Sequence, residues 1–450
     1  MSDRTLCERL AEYVVSLKFE AIHRDAVERA KAIILHNLAI AFGGIGTDQV
    51  DKALELISRS GGTATILGQS FKVAAGDAAF VNTIATRALR MEDMALPSQC
   101  HPGACVVPTA LALGEEYGAA GAEVIAAIVL GYDVIGKVAG PVYSNEHCAR
   151  SPSHVFLALG IAATAARLMR LDCKQTTGAL AHACNLGAMI GEGIQDFQYG
   201  VLTRNGMFAA GLGKCRAPFP ADALESPIGF YAVQLGGARP TAAEVVGELG
   251  TRFEITTTIL KPHPCTGINL VALEMLRHLR RKHRLTAENV RRITVRRASV
   301  ISQESTANAA GPFSGYLGGM YQATSSLPFG MAALLADGEV TPEHFSNPND
   351  RRLAAIMPRV RIEFRDDLGL LENELVIETH DATRVELRGG REFLRAPDPA
   401  AILERYARQH VGERKIHELP EQVGRLDGSR DVRELTRCLA SPSLAAAQQP

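Results

Sequence analysis

Glu92, Asp93, Cys100 and His101 share the run RMEDMALPSQCHPG, so one loop carries two carboxylates, a thiol and an imidazole. A carboxylate near an imidazole can fix the ring's orientation, tune its affinity for a proton and help move a proton to or from a bound molecule. Asp93 and His101 converge only if the loop folds back, and Pro97 with Pro102-Gly103 favours such a turn. A helix-terminal Asp and a surface His would show the same spacing and do no chemistry.

Other stretches could contribute. Ser151-Pro152-Ser153-His154 precedes the apolar run VFLALGIAATAARL. Ser at a cap and Pro at the first helical position make a helix start whose unpaired N–H groups suit an anion, while His154 equally suits packing or solvent. Lys261-Pro262-His263-Pro264-Cys265-Thr266-Gly267 offers a lysine that, against apolar walls, either loses its proton and acts as a base or stays charged and clamps a carboxylate. Cys265 has no obvious base and reads as a buried, inert thiol. Arg204 reads as structural, paired with an acid between helices. Cys100, His101, Cys105, His147, Cys148, His154, His263 and Cys265 match no standard zinc spacing.

The elements that must position these groups are mostly helical. Leu6, Leu10, Tyr13, Val14 and Leu17 fall on one helical face, as do Val27, Ala30, Ile34, Leu38 and Ala41 on the next, which stops at Gly43-Gly44-Ile45-Gly46. Helices are expected over 76–90 and 104–117 on either side of the loop. From 121 to 213 the chain is almost continuously helical and rich in Ala and Gly, as tightly packed helices require. Near 285 the pattern changes. ENVRRITVRRASV, RVRIEFRDD and ELVIETHDATRVELRGG alternate β-formers with charges, as half-exposed antiparallel strands do, with a turn at Asp381-Ala382-Thr383. A helix ending at Gly338 and a short one over 350–356 lie between the first and second strands, and DPAAILERYARQHVG returns to helix.

Composition narrows the function classes. The 450 residues suffice for two domains, and 46% hydrophobic with 22% charged residues is ordinary for a globular protein. Lys plus Arg, 48, nearly cancels Asp plus Glu, 49, so no global field draws in nucleic acid. The basic runs RHLRRKHR and RRITVRR read as solvated faces of a helix and a strand. Nine scattered cysteines, an odd number without a CxxC pair or an export signal, imply reduced thiols in the cytoplasm. The most apolar stretch, 124–140, is interrupted by Asp133 and Lys137 and reads as a buried helix, so no membrane partner is expected.

The run AAFVNTIATRALRMEDMALPSQCHPGACVVPTALALGE resembles the signature region of the MmgE/PrpD family, which includes 2-methylcitrate dehydratase, cis-aconitate decarboxylase and iminodisuccinate epimerase. The matching residues are Ala78-Ala79, Asn82, Glu92-Asp93 and His101-Pro102-Gly103. Thr203-Arg204-Asn205-Gly206 and Lys261 to Cys265 are similar to two further family segments. The resemblance implies a mostly α chain: a large all-α helical domain over 1–265, with 396–438 packing back on it, and a smaller α+β domain with antiparallel strands over 266–395. Residues 439–450 read as a disordered tail.

It also implies a homodimeric lyase or epimerase, needing no metal or other cofactor, that abstracts a proton beside a carboxylate of a small di- or tricarboxylic acid. Asp93, His101 and Lys261 would carry the reaction, with His154 and His263 as further catalytic candidates. Ser151, Tyr143, Gln195, Arg204 and Thr266 would line the substrate site. Ser151 stands where the family usually has a catalytic histidine, Gln195 where many members have a lysine, and Thr266 where some have a histidine; His154 and His263 could compensate. These departures disfavour ordinary 2-methylcitrate dehydration and suit an altered substrate or an epimerisation, which needs no acid for a leaving group. A non-catalytic dimeric scaffold is the alternative.

Overall fold

The computed structural model describes residues 4–59, 61–96, 98–143, 153–187, 195–234, 240–303, 305–314 and 319–441. The chain divides into two compact units, Met1–Leu260 with Asp398–Pro450, and Lys261–Pro397. The first break falls before Lys261 rather than after 265, which assigns Lys261, His263 and Cys265 to the smaller unit. The expected tail at 439–450 lies outside the described residues from 442 onward.

The larger unit is a stack of helices. Arg24–Gly44, Ala75–Arg87, Gly103–Tyr117, Gly121–Tyr143, Leu157–Leu168, Cys173–Leu186 and Gln195–Lys214 enclose one apolar core. The Ala- and Gly-rich composition lets backbones touch: a Cβ on Gly160 would lie 2.4 Å from the Gly131 carbonyl oxygen of the neighbouring helix. Helix Pro399–Val411 packs on Arg24–Gly44, and Asp398–Pro450 groups with this unit. No single helix among the described residues is long and apolar enough to cross a membrane.

A short strand pairing pins the loop. Met94–Ala95, directly after Asp93, runs antiparallel to Thr258–Ile259. The segment Glu254–Thr257 leading into that partner is held by buried polar groups. Glu254 donates its backbone N–H to Asp133 Oδ1 at 2.7 Å, and its carboxylate lies 2.9 Å from Lys137 Nζ. Tyr13 donates its hydroxyl to Asp133 Oδ2 at 2.6 Å. Asp133 and Lys137, which interrupt the apolar helix, are therefore each bonded inside the core, Asp133 to the neutral donors of Tyr13 and Glu254 and Lys137 to the Glu254 carboxylate.

Burial pushes the Asp133 carboxyl up to about 7, against the opposing pull of the Tyr13 and Glu254 donors. The native protein then holds a proton on Asp133 that the unfolded chain has lost, so this group's contribution to stability is full below about pH 4 and falls as pH rises towards 7. The expected slope is up to about 1.4 kcal/mol per pH unit in that window. Urea unfolding from pH 4.5 to 7.5 should show the Asp133→Asn variant gaining on wild type as pH rises; parallel curves would refute the assignment.

The smaller unit holds a four-stranded sheet in the order Val360–Arg365, Val290–Ala298, Asn373–Thr379, Arg384–Gly389. The last three strands are antiparallel neighbours as expected, with the turn at Ala382, whose φ is 65°. Val360–Arg365 instead pairs in parallel with Val290–Ala298, Ile293 opposite Val360. The cause lies in the connection: helices Met320–Ser325, Leu327–Asp337 and Arg351–Ile356 carry the chain back before the second strand begins, as a parallel pair demands. Helix Leu327–Asp337 ends at Gly338 with φ 85°, where the sequence placed its stop. The basic strand is neutralised across the sheet, with Arg292 on Glu378 and Arg296 on both Glu363 and Glu374.

Candidate active site

The loop after helix Ala75–Arg87 does fold back, closed by the Ala95–Cys100 bridge with Gln99 at φ 52°, while Pro102-Gly103 begin the next helix and Pro97 lies outside the described residues; Asp93 is the hub. Its side chain is 0% exposed. The carboxylate accepts from the Tyr132 hydroxyl at 2.7 Å, from the Gly103 N–H at 3.3 Å and from Asn37 Nδ2 at 3.4 Å. It thereby takes up a backbone donor at the start of helix Gly103–Tyr117. Burial raises its pKa to about 6, with Tyr132, Gly103 and Asn37 opposing that rise. The carboxylate thus points into the loop's own foundation.

His101 is oriented by Asp93 through the backbone. Its Nδ1 lies 2.7 Å from the Asp93 carbonyl oxygen. A carbonyl only accepts, so Nδ1 carries a hydrogen and the neutral ring has its lone pair on Nε2. The Glu92 carboxylate stands 3.6 Å from the same Nδ1. Glu92 is ion-paired with Arg87, both fully buried. The Arg87 guanidinium lies 4.1 Å from the centroid of Tyr199, and its Nε is 3.8 Å from Asp196 Oδ1. Arg90 approaches the same Asp196 oxygen at 3.7 Å.

The Tyr199 ring lies close to both histidines, with centroids 6.4 Å from His101 and 6.1 Å from His154. His154 sits in the 3-10 turn Ser153–Phe156 ahead of helix Leu157–Leu168, 5% exposed. Asp93, His101 and His154 are therefore brought into one neighbourhood of the larger unit, with two acids and two guanidiniums behind them. Desolvation raises the Tyr199 pKa well above its ordinary value, so the ring stays a neutral phenol. Such a cluster can position imidazoles for proton transfer.

The other expected residues fall elsewhere. Arg204 pairs with Asp77 at 2.5 Å and lies over the Phe80 ring at 4.0 Å, a contact between helices as its structural reading requires. Ser151 lies outside the described residues, as do the side chains of Tyr143 and Gln195, end residues of helices Gly121–Tyr143 and Gln195–Lys214.

In the smaller unit Lys261 is 1% exposed and donates Nζ–H to the Cys265 carbonyl at 3.2 Å. Burial alone would lower the His263 pKa, but the adjoining Cys265 thiol and Glu274, 3.1 Å from Nε2, bring it up to about 9. Cys265 thus does have an imidazole beside it. Thr266 donates its N–H to the Thr324 carbonyl and precedes the turn Gly267–Asn269. Among the described residues no three His, Cys, Asp or Glu side chains converge to hold a metal.

Sequence reasoning passed over Asn37, Arg87, Tyr132 and Tyr199. The available signal was polarity inside apolar helices: Asn37 in IILHNLAIAF and Tyr132 in VIAAIVLGYDVIG need buried partners.

A helical unit carrying a polar loop and two histidines, joined to a small α+β unit, defines the class of protein. The MmgE/PrpD N-terminal domain matches residues 8–243 and the C-terminal domain matches residues 263–440. The chain belongs to the MmgE/PrpD family. It is similar to the cis-aconitate decarboxylases of Aspergillus terreus, 23% identical over 96% of this chain and 95% of that protein, and of Mus musculus, 24% identical over 98% and 94%. A cis-aconitate decarboxylase-like protein of Aspergillus oryzae is 25% identical over 64% of this chain and 65% of its own length.

Proposed function

We propose that the protein is a lyase or isomerase of the MmgE/PrpD type that moves a proton at the carbon beside a carboxylate of a small di- or tricarboxylic acid. The observation that carries this reading is the fixed His101 ring, whose Nδ1–H is spent on the Asp93 carbonyl so that Nε2 is the nitrogen that gains or loses a proton. His154, on the same tyrosine, is the second proton-transfer group. Removing the proton leaves charge that spreads into the substrate carboxylate, and a cation stabilises it. Lys261, which the family resemblance names, is the candidate for that cation, and its Nζ–H on the Cys265 carbonyl is the bond it would exchange for a substrate carboxylate.

The relatives named as cis-aconitate decarboxylases favour loss of carbon dioxide as the outcome; the same proton transfer serves dehydration or epimerisation. The reading calls for no cofactor. The test is deuterium incorporation from D2O into a panel of di- and tricarboxylic acids, followed by NMR with wild type and Lys261→Ala. Deuterium beside a carboxylate with wild type, reduced at least about 100-fold in the variant, is expected. A folded protein that exchanges no member of the panel would favour the scaffold reading.

A further inference from the structure

Behind His101 stands an arrangement that the reaction does not by itself require. Arg87 is fully buried, an expensive place for a guanidinium unless it is paired on several sides. It is: Glu92 at its tip, Asp196 near Nε and the Tyr199 ring against its face. The Glu92 oxygen that meets Arg87 is also the one 3.6 Å from His101 Nδ1. One carboxylate oxygen therefore divides its field between a fixed cation and a titrating ring. The same guanidinium touches the aromatic ring that packs near both histidines.

We propose that Arg87 is a positioning residue that sets the proton affinity of His101 through Glu92 and holds Tyr199 against His101 and His154. This rests on the reading of His101 as the proton-transfer group. The charge logic has a definite sign. Glu92 alone favours the imidazolium; Arg87 draws on the same oxygen, partly cancels that pull and keeps the ring within reach of its neutral form.

Among the described residues of the larger unit, the other titratable groups that border this cluster are Asp93, Cys100, Cys105, Tyr132, Tyr199, His36, His154, Arg90 and Asp196. Asp93 is bonded to Tyr132, Gly103 and Asn37, and Asp196 is shared by Arg87, Arg90 and Gln49. Burial pushes the Cys105 thiol up to about 12, so it adds no charge near neutrality. Among the described residues Glu92 is the acid 3.6 Å from the ring and Arg87 the cation on the same oxygen, while Asp93, whose carboxyl is raised to about 6, adds a charge that the variants at 87 and 92 leave in place.

The proposal is tested by titrating the His101 ring by NMR in histidine-labelled protein, with the resonance assigned by its loss in His101→Gln. Glu92→Gln should lower the midpoint and Arg87→Met should raise it, each by about one pH unit, whereas Arg87→Lys, which keeps the charge, should stay near wild type. Should Arg87→Met not fold, Arg87→Gln removes the same charge while keeping an N–H for Glu92, and the same rise is expected of it. Midpoints that stay put in Glu92→Gln, or move the same way in both charge-removing variants, would overturn the proposal, because a purely structural role moves stability and not the sign of a titration. The titration needs no substrate, so its outcome is separate from the exchange assay: shifts of the expected signs without any proton exchange would uphold the tuning of His101 and defeat the assigned reaction.

Discussion

His101→Gln is expected to lower proton exchange beside the substrate carboxylate by about 10²–10⁴-fold, the usual worth of a positioned acid or base. The substitution separates chemistry from architecture. Glutamine can still donate an N–H towards the Asp93 carbonyl that now takes the imidazole Nδ1–H at 2.7 Å, so the loop keeps that tie. The ring is a fifth exposed, so little apolar burial is lost and the thermal midpoint should move by only a few degrees. Glutamine has no group that titrates near neutrality, so the pH dependence of any residual exchange should lose the limb belonging to the imidazole. Exchange within about threefold of wild type, in a protein that melts normally, would transfer the role to His154. The matching substitution His154→Gln is the natural companion: equal losses in both would point to two proton-transfer steps, while a loss in His101 alone would leave His154 as packing against Tyr199.

The features that were legible in the sequence are those written locally. The helix start at Pro102-Gly103 and the helix stop at Gly338 follow from residues whose backbone preference acts within a few positions, and the turn at Ala382 from Asp381, whose carboxylate accepts from the Thr383 N–H. The family motif placed Asp93 and His101 in one loop, but not the way they meet: the tie is a backbone carbonyl, which no side-chain pattern announces. Tyr132 stands 39 positions from the carboxylate it bonds and Asn37 stands 56, so neither partner is visible in any window of helical spacing. The parallel strand pair was missed for a related reason. Alternation shows that 360–365 is a half-exposed strand and says nothing of its direction, which is set by the helices that intervene.

Gly103→Ala should be the most destabilising single methyl in the candidate site, and the reason lies in what surrounds it. A Cβ there would fall 2.2 Å from Asp93 Oδ1 and 2.6 Å from both Asn37 Nδ2 and the Tyr132 hydroxyl. None of these is the loose end of a surface side chain; each is buried and bonded to another. Alanine does favour the first turn of helix Gly103–Tyr117, by up to about 1 kcal/mol over glycine. Against that gain, parting the three groups leaves buried donors and an acceptor unmatched at about 1–3 kcal/mol each, and the crowding adds about 1–3 kcal/mol. Steric cost wins, and a net loss of at least about 3 kcal/mol is expected in urea unfolding. The site should suffer with the fold, since Asp93 supplies both the carboxylate under the methyl and the carbonyl that orients His101. A double variant, Asp93→Ser with Gly103→Ala, isolates the cause. Serine removes the atom at 2.2 Å, so the added methyl should cost clearly less in that background than in wild type. Equal costs in the two backgrounds would mean that Asp93 does not supply the obstruction, and that the tight approach of loop and helix is not what requires glycine after His101-Pro102.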